Sequence, residues 1–332
     1  GLKSVFATPD IDQQQLVIRP QFYGENAANK LVVSVYDGNK VVAKKSVVCG
    51  DNSVVVLPIK GMKLWSPEHP FLYGVKYQVM KNGKIIDEVL SYAGMRKVHL
   101  ANGYFYLNNK PYYQRLVLDQ GYYPDGIWTA PTDAALKKDI EMSKAVGFNG
   151  ARLHQKSFEE RYYYWADKLG YLTWGESASW GLDINNEEAC RNFISEWAEL
   201  VERDRNHPSL VTWTPLNETW SATNSGVYKR FVQNLYDMTK MIDGTRPVND
   251  ASGDSHIKTD IWTVHNYCRT PEEFSRDFAL EPGKEPYRNM RGDKWQWLAK
   301  YEGQPYMLDE WGGLGYVVPE KRHGNDTWGY GG

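Results

Sequence analysis

Two glutamates stand where an apolar run gives way to polar sequence. In VTWTPLNETW (211–220), Val211, Trp213 and Leu216 lead to Asn217-Glu218, with Pro215 interrupting a regular strand. In PYMLDEWGG (305–313), Met307 and Leu308 lead to Asp309-Glu310. Each glutamate has aromatic neighbours, Trp213 and Trp220 for the first and Trp311 for the second. A low-dielectric setting and a nearby carboxylate both favour the protonated acid near neutral pH. A pair of carboxyls about 5–5.5 Å apart can cleave a glycosidic bond with retention, one attacking and the other donating a proton. Alternatively, each glutamate forms a structural ion pair with an arginine, and position alone does not choose between these readings.

More polar residues follow the other apolar runs: Asp119, Arg152 with His154, Glu176, Asn249 with Asp250, and His265-Asn266-Tyr267. The elements that would carry them alternate. Thr132 or Asp133 caps a helix expected through 146, and Phe148–Leu153 reads as a strand. Glu159–Leu169 is expected to be helical and Tyr171–Trp174 extended. Glu187–Asp204 is a long helix, Ser209–Thr214 a strand and Val227–Ile242 a helix. Short strands follow near 246–249, 260–264 and 307–308. Such alternation implies a parallel sheet. Seven strands between Tyr112 and Leu308 suggest a (β/α)₈ TIM barrel that stops before its eighth strand, with chemistry at the C-terminal strand ends. No Gly-rich phosphate loop supports an open nucleotide-binding sheet.

Residues 1–98 have a different texture. QLVIRP, KLVVSVYD, KVVAKKSVV, SVVVLPI, LYGVKYQVM and KIIDEVLSY are short β-rich runs separated by turns such as Asp37-Gly38-Asn39 and Asn82-Gly83. That spacing predicts an all-β immunoglobulin-like sandwich over 1–98, before a barrel domain over 99–332.

Composition narrows the function classes. Lysine and arginine (39) nearly balance aspartate and glutamate (41), without long blocks of one sign, which argues against a nucleic-acid partner. No window approaches the roughly 18 apolar residues of a membrane helix, so no membrane partner is expected. The first twenty residues show no signal peptide, and the compartment stays open, cytoplasmic or exported. Cys49, Cys190 and Cys268 are isolated and read as free thiols, with no metal spacing. Thirteen Trp and 23 Tyr fill cores and also suit ligands with apolar and hydroxyl faces, such as sugars.

RNHPSLVTWTPLNETW (205–220) resembles the acid/base signature of glycoside hydrolase family 2, the family of β-galactosidases, β-glucuronidases and β-mannosidases. LWSPEHPFLYGVKYQV (64–79) resembles the end of that family's immunoglobulin-like domain, and NGYFYLNNKPYYQRLVLDQ (102–120) its entry into the barrel. DIEMSKAVGFNGARLHQ, YYYWADKLGYLTWGE, DGTRPVNDAS and PYMLDEWGG continue the series in order. The resemblance implies a retaining exo-β-glycosidase, β-galactosidase-like, acting on a carbohydrate substrate. Glu310 would be the nucleophile, Glu218 the acid/base, and Asn217 the ligand of the sugar 2-hydroxyl. Asp119, Arg152, His154, His265, Asn266 and Tyr267 would hold sugar hydroxyls or support the carboxylates, Arg152 alternatively serving only to keep Glu310 ionised. Trp311 and Trp180 are candidates to stack on the sugar, and Trp213 is expected in the core or pocket floor. His207 and His256 read as structural. The sequence departs from the family at ARLHQK, where His154 stands one position nearer the arginine than usual. The metal-binding histidine pattern of some β-galactosidases is not recognisable, so neither metal nor cofactor is expected. A homo-oligomer is compatible with the reading. The competing class is a carbohydrate-binding homologue that has lost catalysis.

Overall fold

The computed structural model describes residues 1–24, 27–219, 225–253, 256–279, 286–287, 298–313 and 320. Two antiparallel sheets open the chain. One contains β1 (Leu2–Asp10), β2 (Gln15–Phe22) and β5 (Val55–Pro58), in the order β1-β2-β5. The other contains β3 (Lys30–Asp37), β4 (Lys40–Val48), β6 (Tyr73–Lys81) and β7 (Lys84–Ala93), in the order β4-β3-β6-β7. Alternate side chains of a strand face opposite sides. In β6 this buries Tyr73, Val75, Tyr77 and Val79 against Leu16, Ile18, Leu31 and Val33. The first strand, Leu2–Asp10, was not among the expected runs, because Val5–Asp10 are all half-buried without alternation and include Thr8, Pro9 and Asp10 as well as apolar residues.

A small antiparallel sheet, β8 (Val98–Ala101), β9 (Tyr104–Leu107) and β10 (Lys110–Pro111), precedes the parallel region. There β11 (Leu116–Asp119), β12 (Gly150–Leu153), β13 (Leu172–Glu176) and β14 (Leu210–Thr214) form one parallel sheet. Helices α1 (Asp133–Ala145), α2 (Glu160–Leu169) and α3 (Glu187–Asp204) connect them. The series continues through β15 (Leu216–Asn217), α4 (Ser225–Ile242), β16 (Ala251–Ser252), β17 (Trp262–Asn266), α5 (Pro271–Phe278) and β18 (Tyr306–Trp311). Thr132 caps α1 as expected, accepting from the Ala135 amide. A ladder expected at 246–249 reduces to one bridge, Trp213 to Val248, and the pairing resumes at Leu216–Asn217 with Ala251–Ser252. Pro247, which lacks an N–H, cannot donate to a ladder. Among the described residues β11 pairs only with β12 and β18 only with β17, and a cavity of about 350 Å³ lies between these edges. This is the TIM-barrel arrangement, with seven strand positions among the described residues.

The two halves share a packed seam. Trp65 is fully buried with Leu172, Trp174 and Val211, and its Nε1 donates to the Asp167 carbonyl at 2.8 Å. Gly170 ends α2 at φ +67, and a Cβ there would stand 2.3 Å from the Pro67 carbonyl oxygen. Both the left-handed backbone and the close approach require glycine.

Candidate active site

The parallel strands aim their C-terminal ends at one face. Arg152, near the end of β12, is 2% exposed and reaches three strands at once. Its Nη1 donates to Glu176 Oε2 at 2.9 Å and to Asn217 Oδ1 at 3.1 Å, and its Nη2 donates to Glu310 Oε1. Burial works against the guanidinium charge, but the carboxylates of Glu176, Glu310 and Asp309 outweigh it and raise the proton affinity of Arg152. Burial likewise pushes the Glu176 carboxyl up to about 7, with Arg152 and the Gln155 amide pulling the other way.

Glu310 is buried, with both oxygens occupied. Oε1 accepts from Arg152 and Oε2 from the Tyr267 hydroxyl, while a ring nitrogen of His154 lies 3.6 Å from Oε1 and one of His265 lies 3.4 Å from it. Glu218 sits at φ +51, a left-handed conformation that costs a non-glycine residue about 1–3 kcal/mol. The β15–β16 ladder holds it there, its own amide donating to the Ser252 carbonyl at 2.9 Å. Glu218 Oε1 meets His265 Nδ1 at 2.7 Å. One oxygen of Glu218, one of Glu310 and a ring nitrogen of His265 all lie within 4.8 Å of one another. Carboxyls of inverting glycosidases stand roughly 6.5–9.5 Å apart, those of retaining ones about 5–5.5 Å. The observed spacing belongs with the shorter class. A cation at these three groups would compete with Arg152 and Tyr267 for Glu310, so the donor set fits proton chemistry better than metal binding.

A cavity of about 370 Å³ opens beside Glu310, lined by Gln120, His154, Trp180, Tyr267 and Trp311 among others. Trp180 and Trp311 are 55% and 68% exposed, leaving ring surface at the rim. His154 packs edge-on against Trp180, and Gln120 Nε2 lies 2.8 Å from its Nδ1. Burial first, then the Arg152 charge, lowers His154 to about 2, so the ring is neutral. With Gln120 donating to Nδ1, the imidazole hydrogen is on Nε2, the nitrogen facing Glu310.

The structure therefore brings Glu218, Glu310, Asn217, Arg152, His154, His265, Tyr267 and Trp311 to one end of the barrel. Two expected ligands stand apart. Asp119 accepts from the Gly121 amide at 2.8 Å and from the Tyr162 hydroxyl at 3.2 Å, closing the turn after β11 and tying it to α2. Asn266 donates to Asp277 on α5 at 2.9 Å and accepts from the Cys268 amide, so both ends of its amide serve the loop. Trp213 is core, its Nε1 donating to Asp243. His207 and His256 are held by Asp167 and Asp250. Trp220 lies outside the described residues.

Several further residues shape the site without a clear mark in the sequence. Gln155 accepts the Ser179 and Trp180 amides on one oxygen and donates to Ser179 Oγ, fixing the loop that carries Trp180. Ser252 and Asp309 form a chain with His265. Residue types gave no signal for Ser252 or Gln155. Asp309 was visible at a strand end, but strand alternation turns it away from the side that Glu310 faces. The register slips between Val264–Leu308 and His265–Glu310, leaving Asp309 as an extra residue on β18. A bulge of this kind re-aims a side chain, and both acids end up buried.

The sequence model of glycosyl hydrolases family 2 matches residues 2–96, and that of the family's TIM barrel domain matches residues 98–281. A β-galactosidase of Oenococcus oeni is 26% identical over 366 aligned residues, covering 97% of this chain and 35% of its own length. A β-galactosidase of Lactococcus lactis is 27% identical over 246 residues, 71% of this chain and 23% of its own length. The chain thus spans about a third or less of these curated relatives. Among solved structures, a β-D-glucuronidase of Dictyoglomus thermophilum superimposes with a TM-score of 0.74 at 19% identity, covering 99% of this chain and 56% of the other. A β-glucuronidase of Parabacteroides merdae gives 0.74 at 19% identity, over 94% of this chain and 40% of its own. At that identity the structural likeness speaks to fold alone.

Proposed function

The chain belongs to glycosyl hydrolases family 2, and from that premise we propose that it hydrolyses a terminal β-linked sugar with retention of configuration. The observation that carries this reading is the Glu218–Glu310 pair, with oxygens within 4.8 Å and Glu310 gripped by Arg152 and Tyr267. Glu310 attacks the anomeric carbon as the carbon–oxygen bond to the leaving group breaks, and Glu218 gives that oxygen its proton. Water then attacks the same carbon, loses its proton to Glu218 and releases Glu310. The donors from Arg152 and Tyr267 fix the orientation of the Glu310 carboxyl toward the cavity. Asn217 gives its carbonyl to Arg152 and leaves Nδ2 without a protein partner among the described residues, which suits donation to the sugar 2-hydroxyl.

A β-galactoside is the preferred substrate, because a relative aligned along 97% of the chain is named a β-galactosidase. A β-glucuronide is the second reading, favoured by a relative from Formosa agariphila, 28% identical over 67% of this chain and named a putative β-glucuronidase. Nitrophenyl β-galactoside, β-glucuronide and β-mannoside assayed side by side test the choice. Glu310→Gln and Glu218→Gln are expected to lower turnover of the accepted substrate by about a thousandfold or more. Unchanged turnover in Glu310→Gln rejects the mechanism, and sugar binding without product release in the unaltered protein supports the non-catalytic alternative.

A further inference from the structure

Glu218 is tied to a second buried carboxylate that the mechanism above does not use. Glu218 Oε1 lies 2.7 Å from His265 Nδ1, His265 Nε2 lies 2.8 Å from Ser252 Oγ, and Ser252 Oγ lies 2.6 Å from Asp309 Oδ2. The four residues come from the end of β15 and from β16, β17 and β18, and Asp309 reaches the chain through the β18 bulge. Each contact is short enough to require a hydrogen between its heavy atoms. Serine supplies one hydrogen and a neutral imidazole supplies another, whereas two ionised carboxylates supply none. Three contacts therefore need one proton more than the neutral serine and imidazole provide. That proton resides on Glu218, His265 or Asp309.

We propose that this shared proton is the one Glu218 delivers to the leaving group, and that His265, Ser252 and Asp309 are positioning residues that hold it; the inference rests on the glycosidase reading. When the bond from the anomeric carbon to the leaving oxygen breaks and the bond to Glu310 forms, the proton passes from Glu218 to that oxygen. Two hydrogens then remain for three contacts. With the imidazole hydrogen on Nδ1 and the Ser252 hydroxyl turned to Nε2, Glu218 keeps a donor and the gap moves to Asp309. Water attacking the anomeric carbon returns a proton to Glu218 and refills the chain. Among the described residues the charged groups facing His265 include Glu218, Asp309 and Glu310, with neutral His154 beyond and Arg152 behind Glu310. Asp309→Asn takes a negative charge away from the chain and so weakens its hold on the shared proton.

The test is Asp309→Asn and Ser252→Ala in the full chain, with kcat/KM measured over pH for β-glycosides of good and poor leaving groups. A dinitrophenyl leaving group needs little protonation, whereas an alkyl or sugar leaving group needs it fully. Asp309→Asn is expected to lower kcat/KM on the poor leaving group about tenfold more than on the good one, and to move the basic limb about one pH unit down. Ser252→Ala, which breaks the chain in the middle, is expected to act in the same direction and serves if Asp309→Asn does not fold. Equal losses on both substrates with an unmoved basic limb overturn the relay and leave the glycosidase reading intact. If the unaltered protein cleaves no β-glycoside, that reading falls and imidazole NMR decides the relay. A His265 titration midpoint lowered by Asp309→Asn supports the shared proton, and an unchanged midpoint overturns it.

Discussion

Arg152 Nη1 lies 2.9 Å from Glu176 Oε2, and both side chains are almost wholly removed from water. The same guanidinium reaches Asn217 and Glu310, so one cation neutralises two buried carboxylates from two other strands. Replacing it leaves those acids facing each other without a counter-ion. Arg152→Ala is expected to cost about 3–5 kcal/mol of stability, read from urea unfolding midpoints. Arg152→Lys keeps a charge but not the planar fork, and should fall between the two.

Glu176 sets a pH dependence of the opposite kind to most carboxylates. Its carboxyl rises from 4.5 to about 7 in the folded protein, chiefly through burial. A raised folded value means that its contribution is fully present below 4.5 and lost as pH rises through about 7. The stability of the unaltered protein relative to Glu176→Gln is expected to fall by about 3 kcal/mol across that window. Denaturant unfolding of both proteins at several pH values measures it. A flat difference contradicts the burial argument.

A second pH response is expected at the seam between the sandwich and the barrel. Asp167 accepts from the Tyr92 hydroxyl at 2.7 Å and from the Ser209 amide at 2.8 Å, and lies 2.6 Å from His207 Nδ1. Burial opposes a charge on His207, but the Asp167 carboxylate prevails and raises it above 6.5. The stabilisation is therefore complete below 6.5 and lost as pH rises through the folded value. His207→Gln should flatten the thermal-stability profile above 6.5. Tyr92→Phe removes a hydrogen bond to a charged acceptor, worth about 2 kcal/mol by thermal or urea unfolding.

Tyr267 donates to Glu310 Oε2 from the loop after β17. Tyr267→Phe keeps the ring and removes the donor, so kcat is expected to drop about a hundredfold with little change in fold. NMR of the first-formed sugar product should show the substrate's own anomeric configuration, since the Glu218–Glu310 spacing belongs with the shorter, retaining class.

The alternation of strands and helices, the sandwich before it and the two glutamates at strand ends were legible in the sequence, because period and turn chemistry are local properties. Thr132 begins α1 where its hydroxyl predicts, and Glu218 and Glu310 arrive after apolar strands as their neighbours imply. Direction was not legible. Asp119 and Asn266 end strands just as Arg152 and His265 do, yet a two-residue turn and a contact with α5 consume their polar groups. Asp309 faces inward only because β18 bulges against β17, a mismatch between two strands that neither run of residues contains. Residue identity determined which groups could carry charge and protons. Packing between strands far apart in the chain decided which of them meet, because a side chain's direction depends on the register of its neighbour.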